Sequence, residues 1–411
     1  MNRTVLRNGL VIDTEPAVVA HQNTDVLIED GRIAAVGPNL PAADATVIDA
    51  TDRIVLPGFV DTHRHLWQTT LRGIAADADL GEYLSVVLGK IAGRYRPQDV
   101  YAGTLAGAWE ALACGVTTVQ DFSHISASPA HADAAVTALR ESGIRAVYGH
   151  GRPVFGEDIH DLRRVHRDHF AGDSDLVRLA SAPSGPSYQP IDEVAADLAT
   201  ARDLGVRTYV HVGRGPMADR PIALLRSRGL LHADITFVHA NSLPDDELAL
   251  IAEAGAAVAI APAVEAQMGH GAPMACRLRA NGITTGLGVD VVTTVAGDMF
   301  SVMRAAILTS RTTGDHLTAA EALTLATISG AATLGMADEV GSLRVGKKAD
   351  LIILRANDVN LLGGAHDPVG TVVTAAHPGN IDLILINGRV VPAPPTSLAT
   401  LVRDSAAYVT K

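Results

Sequence analysis

The middle of the chain alternates short apolar runs with helical stretches, and this alternation constrains the fold more than any other feature. The runs fall at 58–61, 117–121, 146–148, 177–182, 207–211, 236–239, 257–261 and 285–290. Helical patterns fall between and after them, at 97–113, 130–142, 191–204, 217–228, 245–254 and 272–281. Strand and helix in alternation mean parallel strands, because a parallel pair needs a crossover that a helix supplies. A doubly wound sheet gives the same alternation. A count of eight, with polar residues gathered at the run ends, favours closure into a (β/α)8 TIM barrel over about residues 57–340.

Both ends of the chain read differently. Residues 5–12, 24–29, 32–36 and 45–49 are β-rich and broken by Asn8-Gly9 and Asp30-Gly31, dipeptides that favour hairpin turns. At the other end, 349–354 and 381–386 are apolar strands, and Asn387-Gly388 turns into a short third. We expect 1–56 and 341–395 to form one small β-sandwich subdomain and 396–411 to be a tail. The segment 73–96, after the first barrel strand, is too long for an ordinary connection and is expected to cap the barrel mouth.

Composition excludes several classes. Hydrophobic residues make up 47% and charged residues 19%, which is incompatible with a disordered chain. The 33 basic and 45 acidic residues leave a net charge of −12, which argues against nucleic-acid binding. Cys114 and Cys276 are too few for a disulfide framework or a thiolate zinc cluster. There is no run of 18 apolar residues and no signal-like start, so the expectation is a cytoplasmic protein without a membrane partner.

In such a barrel the reactive residues sit at the C-terminal strand ends. His63-Arg64-His65 ends the first strand, His211 the fifth, His239 the sixth and Asp290 the eighth. Residues two apart on a strand share a face, so His63 and His65 can reach one ion together. Each residue alone has an ordinary explanation in packing or capping. Their joint placement at the expected ends makes a metal site.

Pro57-Gly58-Phe59-Val60-Asp61-Thr62-His63-Arg64-His65 resembles the opening motif of the amidohydrolase superfamily. The segment 341–351, GSLRVGKKADL, resembles its C-terminal signature, and Gly115-Val116-Thr117-Thr118-Val119 and Asn387-Gly388-Arg389-Val390-Val391 also match. The likeness spans about residues 3 to 391. Gln68-Thr69-Thr70-Leu71-Arg72-Gly73 narrows it to the branch of cytosine, guanine and S-adenosylhomocysteine deaminases and triazine hydrolases.

The resemblance implies one divalent ion on His63, His65, His211 and Asp290. His239 would contact the bound water or the substrate. Three nitrogens and one oxygen suit Zn2+, with Fe2+ the alternative. Relatives with two metals bridge them through a carboxylated lysine on the fourth strand; here no lysine occurs between Lys90 and Lys347. The implied chemistry is attack of metal-bound hydroxide on a C–N bond of a nitrogen heterocycle, with Asp290 taking the proton of the water. The alternatives are hydrolysis of a ring amide, a urea or carbamate, or a C–halogen bond. A catalytically dead binding or assembly relative would be expected to have lost ligands, and none is missing. The substrate is a small molecule, and a homo-oligomer is implied by analogy.

One position departs from the pattern. The deaminases of this branch carry a glutamate three residues after the fifth-strand histidine, and here it is Arg214. Arginine cannot shuttle protons at neutral pH. Arg214 is therefore expected to bind an acceptor on the substrate, and Glu265 is the candidate replacement acid. Trp67, Gln68, His124 and Tyr188 are expected at the substrate, with Ser123, His150 and Ser184 as further polar positions near the mouth.

Overall fold

The computed structural model describes residues 3–153, 161–172, 176–213 and 215–411. Eight parallel strands follow one another in sequence order: Phe59–Arg64, Val116–Ser123, Arg145–Gly151, Val177–Ala182, Thr208–Val212, Ile235–His239, Ala257–Ile260 and Thr285–Leu287. The first two are buried along their whole length, as strands covered on both faces must be. The barrel closes just beyond the eighth strand. Asp290 N donates to the His63 carbonyl at 2.9 Å, and His65 N donates to the Asp290 carbonyl at 2.9 Å. Closure at this point demands glycine, since a Cβ on Gly288 would lie 2.6 Å from the His63 carbonyl oxygen.

The chain ends supply one separate eight-stranded sheet. Arg3–Asp13 pairs with Val19–Glu29, Thr46–Asp49 and Arg53–Pro57, and Arg53–Pro57 pairs antiparallel with Leu351–Arg355 from the other end. Leu6, Val26, Ile28, Val55, Leu351 and Ile353 form its own core. The buried ion pair of Arg145 with Asp350, 2.7 Å, fastens this sheet to the third barrel strand. Arg53–Pro57 is a strand that the sequence reading passes over, because it merges into the Pro57-Gly58 turn.

Two segments differ from expectation in form. The stretch after the first strand is a series of short helices, Leu66–Leu71, Leu80–Tyr83, Leu84–Ile91 and Ala92–Arg94, rather than a loop. The C-terminal tail is a helix, Leu398–Val409. It seats Val409 and Ser405 in the protein and lays the Tyr408 ring 3.4 Å from the Arg96 guanidinium carbon. No helix among the described residues is long and apolar enough to cross a membrane.

Candidate metal centre and active site

The first strand brings its two histidines into the barrel mouth side by side, with ring centroids 4.7 Å apart. His65 Nδ1 lies 2.8 Å from the Phe122 carbonyl. A carbonyl only accepts, so Nδ1 carries the proton and the Nε2 lone pair is left for a cation. His63 is fully buried, and neither of its ring nitrogens has a hydrogen-bond partner. Such nitrogens are costly unless something occupies them. His211 completes the cluster, its ring 4.9 Å from His63 and 5.5 Å from His65.

Asp290 faces these rings from just beyond the eighth strand, in the left-handed region at φ 67°. Its Oδ1 lies 3.4 Å from both His63 Nε2 and His65 Nε2, and its Oδ2 lies 3.6 Å from His239 Nε2. One donor atom each of His63, His65 and Asp290 lies within 4.8 Å of the other two, and the same holds for His63, His211 and His239. Burial lowers the pKa of His63, His65 and His211, so their imidazoles are neutral and their lone pairs available. Burial acts to raise the pKa of Asp290, but the nearby His63, His239 and His270 side chains lower it overall, which keeps the carboxylate charged. Neutral imidazoles around one carboxylate are the donor set of a divalent cation.

His239 differs from the other three. Its Nδ1 meets Glu265 Oε1 at 3.1 Å. Burial opposes its charge, but the bond to Glu265 and the nearby Asp290 raise its pKa overall. His239 and Ala240 both take left-handed backbone, at φ 71° and 62°, which turns the chain sharply after the sixth strand. Non-glycine residues occupy this region at a cost and concentrate at functional sites. Glu265 sits on the short helix Pro262–Met268, held by the backbone N–H of Ala261 at 2.8 Å, and its Oε2 accepts from Asn241 Nδ2 at 3.3 Å. The structure thus brings Glu265 behind His239, on the side away from Asp290.

A cavity of about 710 Å³ opens over the cluster. His65, His211, His239 and Asp290 form its floor, and His124, Ser184 and Tyr188 line it as the sequence suggests. Leu80, Tyr83, Leu84 and Leu88 from the helices after the first strand form one wall, so this segment does cap the mouth. Trp67 and Gln68 stand one layer back. The Trp67 ring packs on His124 at 5.6 Å, and Gln68 Nε2 donates to the Tyr83 hydroxyl at 2.7 Å. They are displaced because the turn of helix Leu66–Leu71 points both into the core, where neither is exposed. Arg214 lies outside the described residues. Ser123 is buried in the second strand, and His150 pairs with Asp161 at 2.7 Å. Neither lines this cavity. Sequence reasoning did not single out Tyr83, Asn241 or His270. His270 packs edge-on to His239 at 4.7 Å; its place in the Met268-Gly269-His270-Gly271 turn after the seventh strand was the available signal.

The model of the amidohydrolase family matches residues 54–391. The chain belongs to the amidohydrolase family. This amidohydrolase is 32% identical over 415 residues to a 5-methylthioadenosine/S-adenosylhomocysteine deaminase of Symbiobacterium thermophilum, covering 95% of this chain and 94% of that one. Among solved structures it resembles an adenosine deaminase from Xanthomonas campestris with bound zinc, at TM-score 0.88 and 25% identity, covering 99% and 98% of the two chains. It also resembles an atrazine chlorohydrolase from Arthrobacter aurescens complexed with zinc, at TM-score 0.88 and 26% identity over 99% and 100%. It is a metal-dependent hydrolase of carbon–nitrogen bonds other than peptide bonds, and the metal is a divalent ion.

Proposed function

We propose that this amidohydrolase removes an amine by hydrolysis from a ring carbon of a nitrogen heterocycle, with an adenosine-type nucleoside the leading substrate class. The zinc-bound deaminase and the named relatives support that class, and the cavity volume suits a ligand of this size. His63, His65, His211 and Asp290 would hold the ion, and three nitrogens with one oxygen favour zinc. An ion held by these residues would supply Lewis acidity, lowering the pKa of water toward neutrality.

The chain's own residues then manage protons. The observation that carries the reading is the division of labour on Asp290. Oδ1 faces two ring nitrogens at 3.4 Å, while Oδ2 faces His239 Nε2 at 3.6 Å. Glu265 holds the His239 Nδ1 proton, so Nε2 is the atom open to exchange. Oδ2 takes a proton from the attacking water, and His239 Nε2 relays a proton to the departing nitrogen. The oxygen of water bonds to the ring carbon, the C–N bond breaks, and ammonia leaves.

A second reading is displacement of a leaving group that needs no proton, such as halide. The arginine at position 214 favours it, since it stands where the deaminases of the branch keep an acidic shuttle. Product analysis separates the two. The zinc-loaded protein is incubated with adenosine-type nucleosides, aminotriazines and chlorotriazines, and ammonia, chloride and mass change are followed. Ammonia with a gain of 1 Da in the heterocycle is expected, about the difference between NH2 and OH. Chloride release without ammonia from any amino compound would overturn the first reading.

A further inference from the structure

The residue between the two strand-1 histidines has no part in the chemistry above, yet it is one of the largest fully buried side chains. Arg64 is 1% exposed. Alternation along the strand sends it away from His63 and His65, out of the barrel. There its Nη2 meets Glu110 Oε2 at 2.6 Å on helix Pro97–Ala113, and its Nη1 donates to the Gly297 carbonyl at 3.1 Å. Asp61 Oδ2 lies 3.5 Å from Nη1, and the other Glu110 oxygen meets Arg72 at 2.8 Å. A Cβ on Gly297 would fall 2.6 Å from the Glu110 carboxyl, so the chain after the eighth strand is built around this cluster.

The ladder explains what the cluster is for. The first strand pairs Asp61 with Val119 and Arg64 with Asp121, so three steps on one strand oppose two on the other. This is an irregularity of the bulge type, which re-aims side chains but leaves a backbone N–H outside the regular pairing. The His63 N–H finds its acceptor in Asp61 Oδ1, at 3.3 Å. The same oxygen accepts the Val289 N–H at 3.1 Å, one residue before Asp290. One buried carboxylate therefore ties the backbones of two ligand-bearing segments, and Arg64 with Glu110 anchors that carboxylate from outside.

We propose that Asp61, braced by Arg64 and Glu110, is a positioning unit that sets the affinity of the metal centre by fixing His63 relative to Asp290. The inference rests on the proposed ligand set. Asp61→Asn keeps the shape and can still accept, but it removes the charge that faces Arg64. Changes behind metal ligands typically weaken binding by ~10–100-fold, and that range is expected here. Glu110→Gln, at the far end of the unit, should shift affinity less but in the same direction.

Zinc affinity is measured by chelator competition on the full-length protein, alongside Tm. Two controls accompany it. His63→Ala tests the ligand set itself, and Asp350→Asn disturbs a buried pair with Arg145 distant from the centre. The expected result is weaker zinc binding in Asp61→Asn, smaller weakening in Glu110→Gln, and unchanged affinity in Asp350→Asn despite a lower Tm. If His63→Ala binds zinc as the parent does, the ligand set is wrong. If His63→Ala loses zinc while Asp61→Asn and Glu110→Gln bind at parental affinity, the positioning unit alone is refuted. Should Asp61→Asn not fold, Glu110→Gln decides: parental affinity there overturns the proposal.

Discussion

Glu265→Gln is the most informative single substitution at the reaction site. The native carboxylate accepts three hydrogen bonds, from Ala261 N at 2.8 Å, His239 Nδ1 at 3.1 Å and Asn241 Nδ2 at 3.3 Å, and the residue is 3% exposed. A glutamine places one oxygen and one NH2 where two oxygens stood. Its oxygen can keep Ala261 and His239, but its NH2 then opposes the Asn241 NH2, which is itself committed to the Ala272 carbonyl at 2.9 Å. Turned the other way, it satisfies Asn241 and deprives His239. Either arrangement loses a charge-assisted bond worth ~1.5–3 kcal/mol. If about 2 kcal/mol of that appears in the barrier, kcat falls by roughly 30-fold. Bound zinc and KM should stay near parental, because Glu265 bonds to none of the proposed ligands His63, His65, His211 and Asp290 and does not itself line the cavity. The assay is steady-state ammonia release, with metal content measured on the same preparation. A parental kcat in a variant retaining one equivalent of zinc would refute the claim that Glu265 aims His239.

Other outcomes follow from the same geometry. His239→Asn should retain the ion and lose ~10²–10⁴ in kcat, measured as ammonia release with metal analysis; loss of the metal would make His239 a ligand. Arg214→Glu should change kcat/KM on the substrate found by product analysis, and an unchanged value would remove Arg214 from substrate recognition. Glu15 gives an acid-stability test remote from the site. Burial acts to raise its pKa, but hydrogen bonds from Lys347, Ser342 and Arg344 bring it down to about 2 from an ordinary 4.5. A depressed carboxylate stabilises the fold above its unfolded pKa and loses that contribution as pH falls through its folded one. Glu15→Gln should therefore lower stability by about 1–3 kcal/mol at pH 7, and the parent and variant Tm values should converge as pH falls from 4.5 toward 2. A gap that stays constant over that range would contradict the assignment.

The barrel was legible because its signal repeats. The run 177–182 and the helices 97–113 and 245–254 coincide with the folded elements, since an apolar strand between helical stretches has few other ways to be buried. The ends of elements were less legible. The eighth strand stops at Leu287 rather than at Asp290, because closure against His63 and the left-handed turn at Asp290 depend on partners far away in sequence. The helix read from 217 begins only at Pro221, where the fixed proline φ suits a first turn. The strand-1 histidines and Asp290 announced themselves by position. Glu265 was noticed as a replacement acid, yet its place behind His239 follows from the Ala261 N–H, which no residue pattern reveals. Tyr83 was hidden for a related reason: the helices at 66–94 are too short and irregular to show a periodic face.

The central claim is that hydrolysis depends on one divalent ion held at the mouth of the barrel. Metal-free protein titrated with zinc, followed by ammonia release from the best amino-heterocycle, tests it most directly. The account predicts no activity without metal, a linear rise, and a break at one equivalent per chain. Ammonia release that persists after complete metal removal, or that needs two equivalents, would contradict it.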